Sequence, residues 1–330
     1  MRLAIIGISG LVGRTILKVL EEKNIETEEL IPVASKSSIN TTINFRGNDY
    51  KIIGIEEAVE KRPDIAIFSA GKNVSLEWAE KFAKNGTYLI DNSSAWRMQP
   101  DKKLIVPEVN IDILDKTDKI IANPNCSTIQ LAVVLHPLHK KYKLKRLIVS
   151  TYQSVTGSGQ AGINQLFAER KSEKTENPAY PHQIDLNCIP QGGCFLDNSY
   201  SEEEWKLINE TPKILKIDNL KISSTVVRIP VLGGHSESVN IEFENKPDIN
   251  EIFDILKASP GICVLDDTQK NVYPMPVISE NKDEVFVGRI RADNSCENAV
   301  NLWITADNLR KGAATNAVQI AEYIYQKFIK

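Results

Sequence analysis

The sequence predicts an α/β protein in two parts, a doubly wound parallel sheet followed by a domain with a mixed sheet. Three observations carry this. Short apolar runs alternate with helical stretches through the first third, a glycine-rich turn follows the first run, and beyond Asn125 the apolar runs lengthen with fewer helices parting them. The 330 residues fit two domains of ordinary size. With 42% hydrophobic and 25% charged residues the composition excludes wholesale disorder, collagen and low-complexity chains.

RLAII at 2–6, ELIPVA at 29–34, DIAIF at 64–68 and TYLID at 87–91 read as the strands of the first sheet. Helices fit between them. Leu11, Leu17 and Leu20 share one face of a segment ending near Glu22, and Val74, Trp78 and Phe82 follow the i, i+4, i+8 rule of another. This alternation argues for parallel strands with helices on both faces. A helix beginning at Ser127 buries Ile129, Ala132, Val133 and Leu135. LKRLIVSTYQ, LKISSTVVRIPV, SESVNIEFE, VFVGRIRAD and AVNLWITA then read as longer strands of a mixed or antiparallel sheet. Between them, Ser201 and Glu204 stand at capping-box spacing and open a further helix. The stretch 172–200, with three prolines, reads as a long excursion, and a last helix from about Leu309 to Phe328 is expected to return to the first domain.

Forty basic and 43 acidic residues leave a net charge of −3, so no overall positive field exists to hold nucleic acid. No apolar run approaches the ~20 residues of a membrane span, and the N-terminus lacks the pattern of a secretory signal. The expectation is a cytosolic protein. Five scattered cysteines with no CxxC pair suit a reducing compartment and make no disulfide framework.

The turn Gly7-Ile8-Ser9-Gly10-Leu11-Val12-Gly13 joins the first strand to the first helix. Its glycines let the main chain approach a pyrophosphate, while the helix start presents unpaired N–H groups and a positive dipole end. That is a Rossmann-type dinucleotide site. After the second strand an Asp or Glu would accept bonds from the ribose of NAD and repel a 2′-phosphate, but this chain has Ser35, Lys36, Ser37 and Ser38. Hydroxyls and an ammonium favour NADP.

Cys126, in Asn-Pro-Asn-Cys-Ser-Thr, stands just before a helix, where the dipole and free N–H groups favour the thiolate. It is the nucleophile candidate; the other four cysteines read as structural. A thiolate combined with a nicotinamide implies addition to a carbonyl and hydride exchange through a thioester. Of the four histidines, His235 follows Gly233-Gly234 and starts a strand, which suggests an exposed imidazole held by a tight turn. His136 and His139 supply too few ligands for a metal, and none is expected.

Over essentially its full length the chain resembles the aspartate-β-semialdehyde dehydrogenase family. The resemblance lies in GISGLVG, DNSSAWRM, VPEVN, NPNCSTIQ, STYQSVTGSGQAG, NETPKI, VVRIPVLGGHSESVNIEF and DNLRKGAATNAVQIAEY. It implies reductive dephosphorylation of L-4-aspartyl phosphate by NADPH, on the route to lysine, threonine and methionine. It makes Cys126 the acyl-thioester nucleophile, His235 the acid/base and Gln153 the residue that orients the carbonyl. Arg97, Asn125 and Lys213 would hold phosphate, and Glu210 and Arg228 the substrate's ammonium and carboxylate, a division that suits an amino-acid substrate. Taken alone, Glu210 and Lys213 read as a helical ion pair, with Pro212 breaking the regular helix between them. The resemblance further assigns Ser9, Gly10, Leu11, Val12 and Ser38 to the nucleotide, and Ser158, Gly159 and Asn316 to its nicotinamide half. Ser37 stands where most bacterial members carry a basic residue.

The domains implied are a Rossmann-type NADP-binding domain over 1–124 with 306–330, and an α+β catalytic and dimerisation domain over 125–305. A homodimer acting on a small molecule is expected. N-acetyl-γ-glutamyl-phosphate reductase shares the chemistry but is disfavoured by NPNCSTIQ, NETPKI and the free-ammonium partner Glu210. A non-catalytic redox sensor needs no helix-start thiol beside a set of substrate charges.

Overall fold

The computed structural model describes all residues 1–330. The chain divides into two compact units, Met1–Asn125 with Ala313–Lys330, and Cys126–Gly312.

The first unit runs β1 (Arg2–Ile6), α1 (Leu11–Glu22), β2 (Glu29–Val33), the hairpin β3 (Thr42–Phe45) and β4 (Asn48–Lys51), α2 (Ile55–Glu60), β5 (Ile65–Phe68), α3 (Lys72–Lys84), β6 (Tyr88–Asp91), β7 (Lys103–Leu104), α4 (Pro107–Asn110) and β8 (Ile120–Ala122). Its six-stranded sheet has the order β2-β1-β5-β6-β8-β7, and every pairing is parallel. Strands of a parallel sheet are covered on both faces, which is why RLAII and DIAIF are near-continuous apolar runs rather than alternating ones. The chain order reverses between β1 and β5. Crevices at such a switch point, outside the carboxyl ends of the strands, are where ligands bind in open α/β sheets.

The second unit runs α5 (Cys126–Tyr142), β9 (Leu144–Gln153), α6 (Gly159–Arg170), α7 (Glu202–Leu215), β10 (Lys221–Arg228), β11 (His235–Phe243), α8 (Ile249–Ala258), β12 (Ile262–Val264), α9 (Pro276–Ser279), β13 (Val285–Ala292) and β14 (Ala299–Ala306). Its sheet, β10-β9-β11-β14-β13-β12, is mixed as expected: β10 with β9 and β12 with β13 are parallel, the rest antiparallel. Register decides what this sheet can do. Gln153 pairs with Arg228 at the carboxyl ends of β9 and β10, and Tyr152 pairs with Ser236, so His235 enters β11 at that same end. α5 lies on the face shared by Val149, Val226, Val239 and Ile304, all buried.

The α7 cap is as the spacing predicts, with the Ser201 N–H donating to Glu204 Oε2 at 2.7 Å. Pro212, however, does not break the helix; α7 continues through it to Leu215. A proline near the end of a helix costs one carbonyl its partner, and so few turns follow that the helix tolerates it. Within the excursion, Tyr180, Ile184 and Ile189 form a small core with Val155 and Leu166. The final helical stretch is not uniform. A π-turn at Arg310–Ala314 precedes α10 (Thr315–Ile324), and another, Tyr325–Ile329, follows it. α10 belongs to the first unit, where Ala317, Val318, Ile320, Ala321 and Ile324 join Ile16, Leu20, Ile65 and Ile90 in one core.

Candidate active site

The residues singled out from sequence fall in two sets, one on each unit. In the first unit a pocket of about 380 Å³ is lined at the ends of β1, β2 and β5 by Gly7, Ser9, Gly10, Ala34, Ser35 and Ser69, with Val74 and Trp78 from α3. Gly7 has φ +88°, and a Cβ there would sit 2.4 Å from Ser69 O. A Cβ on Gly13 would sit 2.4 Å from Gly7 O, so the first turn of α1 lies directly on the strand end. Gly10 is the N-cap and offers no side-chain cap, which leaves the first N–H groups of α1 for an anion. Leu11 and Val12, half-buried, occupy that first turn. These features fit a dinucleotide pyrophosphate. Ser35 lines the pocket and lies 3.0 Å, hydroxyl to hydroxyl, from Ser37. Ser38 closes the short 3-10 turn that follows.

The DNSSAWRM segment leaves β6 and is folded by its own polar groups. Asp91, wholly buried, accepts from Ser93 N at 3.2 Å and Ser93 Oγ at 2.6 Å, while Trp96 Nε1 donates to Ser75 at 2.9 Å. Burial holds the Asp91 carboxyl above its usual range, against those hydrogen bonds and the nearby Arg97. Arg97 donates from Nε to Asn123 O at 3.0 Å and from Nη2 to Asn92 O at 2.8 Å, which fixes the direction of its guanidinium. Asn125, 5% exposed, is the last residue of this unit before Cys126. Asn316, assigned by resemblance to the nicotinamide half, is fully buried here and donates to Ile105 O at 2.9 Å and Asn123 Oδ1 at 2.7 Å. It ties α10 to the end of β8.

In the second unit Cys126 is the first residue of α5 and half-buried. A Cβ on Gly312, in the π-turn, would come within 2.9 Å of Cys126 Cβ, so only a glycine passes so close to the thiol-bearing residue. The turn is shaped by Asp307, whose carboxylate accepts from the N–H groups of Leu309 and Arg310 at 2.8 and 3.1 Å. Gln153, fully buried, donates from Nε2 to Ser127 Oγ at 3.0 Å, next to the thiol in sequence.

His235 departs from expectation. Far from exposed, its ring is 0% accessible, because α5 and the turn at Val155–Ser158 close over the start of β11. Ser154 N donates to its Nδ1 at 3.0 Å, and Gln130 Nε2 donates to its main-chain oxygen at 3.3 Å. A Cβ on Gly157 would sit 3.1 Å from His235 Nε2 and 2.5 Å from Arg228 Nη1. Burial, helped by the Arg228 charge, depresses the imidazole pKa to about 3. Arg228 donates to Ser154 O at 3.1 Å. Glu210 on α7 is 1% exposed and Lys213, one turn on, is half-buried. Ser158 Oγ accepts from Tyr180 Oη at 2.9 Å, and Gly159, at φ +70°, opens α6.

Ser127, Gln130, Ser154, Gly157 and Gly312 support these groups and were not singled out from sequence. Ser154 and Gly157 lie inside STYQSVTGSGQAG and Gly312 inside DNLRKGAATNAVQIAEY, so the segments were visible but not the contacts. No cluster of three or more His, Cys, Asp or Glu side chains is arranged to hold a metal, and no helix is long and apolar enough to cross a membrane.

Comparison with known proteins agrees across the chain. Residues 2–117 match the semialdehyde dehydrogenase NAD binding domain, and residues 135–311 the semialdehyde dehydrogenase dimerisation domain. An aspartate-semialdehyde dehydrogenase of Aquifex aeolicus is 50% identical over 99% of this chain and 98% of its own. One from Bacillus subtilis is 42% identical over 98% and 96%. Among solved structures, aspartate semialdehyde dehydrogenase II from Vibrio cholerae, complexed with ASA, superimposes with a TM-score of 0.95 at 40% identity, covering 99% of this chain and 98% of that one.

Proposed function

Because the chain belongs to the semialdehyde dehydrogenase family, we propose that it converts L-4-aspartyl phosphate to aspartate 4-semialdehyde and phosphate at the expense of NADPH. The observation that carries this reading is Cys126 at the first position of α5, with Gln153, Arg228 and His235 gathered at one end of the adjoining sheet.

Cys126, as thiolate, attacks the acyl carbon and takes the acyl group as a thioester while phosphate departs. NADPH, when bound, would supply the hydride that reduces this thioester; the C–S bond then breaks, which frees the aldehyde and returns Cys126 as thiolate. The glycine turn and the free N–H groups of α1 hold the pyrophosphate, and Ser35 and Ser38, beside Lys36, receive the 2′-phosphate that selects NADP. Glu210 meets the substrate ammonium and Arg228 its carboxylate; Arg97, Asn125 and Lys213 meet phosphate. Gln153 orients the carbonyl, and His235 serves its oxygen as acid/base. Ser158 and Gly159 face the nicotinamide half, as the resemblance implies. The enzyme works as a homodimer in the cytoplasm, in amino-acid biosynthesis.

The test is Cys126→Ala. Phosphate-dependent NADP reduction with aspartate semialdehyde is expected to fall by about 10⁴-fold or more. Near-normal initial rates in this variant would refute the covalent route.

A further inference from the structure

We infer that Glu237 is a positioning residue: as a carboxylic acid it clasps the amide of Gln130, and so fixes β11, which carries His235, against α5, which carries Cys126. This deepens the reaction proposed above and rests on it for the roles of Cys126 and His235.

His235, Glu237 and Val239 stand two residues apart on β11 and share the face that α5 covers. The cross-strand neighbours of Glu237 are Thr151 on β9 and Ile304 on β14, and all three are fully buried. From α5 the Gln130 side chain, also fully buried, reaches over that face, and its Nε2 donates to the main-chain oxygen of His235 at 3.3 Å. Gln130 lies one helical turn beyond Cys126. One amide therefore ties the strand of the imidazole to the helix of the thiol.

The Gln130 amide is also what the Glu237 carboxyl faces. Both carboxyl oxygens, Gln130 Oε1 and Thr151 Oγ1 have no hydrogen-bond partner. Buried oxygens left in that way are costly, and a single proton answers the cost. An ionised Glu237 can only accept, as Gln130 Oε1 can only accept, so the two repel. The acid's hydroxyl donates to Gln130 Oε1 instead, and its carbonyl is left to accept from the Thr151 hydroxyl.

No charge nearby favours the ionised form. Thr151, Ile304 and Gln130 are uncharged. The ionisable groups His235 and Arg228 stand at the ends of their strands, with Glu210 and Lys213 on α7, and none of them acts on this carboxyl. Burial decides the matter and keeps the proton on. Glu237 moves no proton during turnover. The His235 ring does that, and the clasp sets where the strand bearing it stands relative to the thiol.

The test has a spectroscopic arm and a kinetic one. Infrared difference spectra of the full-length wild type against Glu237→Gln, from about pH 6 to about pH 8, are expected to show the carbonyl stretch of one un-ionised carboxylic acid. Asp91, also pushed up by burial, is present in both proteins and cancels. In Gln130→Met that band should move to higher frequency, because the hydroxyl has lost its acceptor. A carboxylate in place of the acid, or a band that Gln130→Met leaves unmoved, overturns the inference. Neither measurement needs substrate, so both stand or fall separately from the reaction itself. In steady-state assays Glu237→Leu should lower kcat about tenfold or more with the KM for NADP unchanged, while Glu237→Gln, which keeps a neutral hydrogen-bonding group, restores it to within about twofold. Should the leucine variant not fold, Gln130→Met carries the same kinetic expectation. A wild-type kcat in whichever of the two is assayed shows that the clasp holds the fold without positioning the reaction, and overturns the inference.

Discussion

At the end of β1 the molecule has taken side chains away, whereas at the ends of β9 and β10 it has buried them. Gly7, Gly10 and Gly13 let main chain lie on main chain, and what remains to meet a ligand is a row of N–H groups. In the second unit Gln153, His235 and Arg228 are enclosed side chains, the last two held by the main chain of Ser154 and the first by the Ser127 hydroxyl. The first arrangement suits a ligand shared by many proteins, since any pyrophosphate can be met by backbone. The second suits one reaction, because each buried polar atom has a single direction in which it can act.

The sharpest way to break this contrast is to put a methyl group where the first site has none. Gly13→Ala forces a Cβ to 2.4 Å from Gly7 O, a backbone atom that cannot swing aside. A penalty of about 3 kcal/mol should weaken NADP binding at least ~100-fold in a direct titration. Binding within threefold of wild type would mean the close approach is not needed.

In the second site the matching change acts through side chains. Gly157→Ala presses on Arg228 Nη1 and the His235 ring, 2.5 and 3.1 Å from the new Cβ. We expect kcat/KM to drop about 10- to 100-fold while NADP affinity is unchanged. Loss of both together would show that the two sites are not separable in this way. A smaller effect is expected from Ser35→Asp, whose carboxylate would repel a 2′-phosphate; the rate ratio of NADP to NAD should fall about tenfold.

The smallest effect on rate, and the most diagnostic for pH, belongs to β11. Burial holds the Glu237 carboxyl well above 4.5, so the folded protein keeps a proton that the unfolded chain surrenders. Stability therefore falls as pH rises from 4.5, and Glu237→Gln should remove that slope while changing the rate at pH 7 by less than about twofold. His235 works in the opposite sense. The unfolded chain takes up its proton below 6.5 and the folded protein only near 3, so stability is lost as pH falls through that window, and His235→Gln should abolish the loss. Urea midpoints measured against pH for the three proteins check both slopes.

Much of this was legible in the sequence because it rests on local periodicity. RLAII, the glycine turn and the helix face of Leu17 and Leu20 needed only neighbours in the chain to be read. So did LKRLIVSTYQ, which runs as a strand over those same residues. Contacts between segments were not readable. The burial of His235 depends on α5 and the 155–158 turn meeting over β11, and the reach of Gly312 to Cys126 spans most of the second unit. Pro212 misled because a rule about helix interiors was applied to the last turn of α7. The π-turn at Arg310–Ala314 has no signature in periodicity, its shape coming from Asp307 instead.

Synthesis on the ribosome reaches β1 long before α10, yet the core that Met1 enters is completed by Val318, Ile320 and Ile324. The unit made first is thus the one finished last. While Cys126–Gly312 can gather its own core, the nascent β1 to β8 sheet must wait with Ile16 and Leu20 uncovered until α10 has been made. A truncation before α10 would therefore injure the earlier-made domain, leaving a sticky sheet for chaperones and proteases to find.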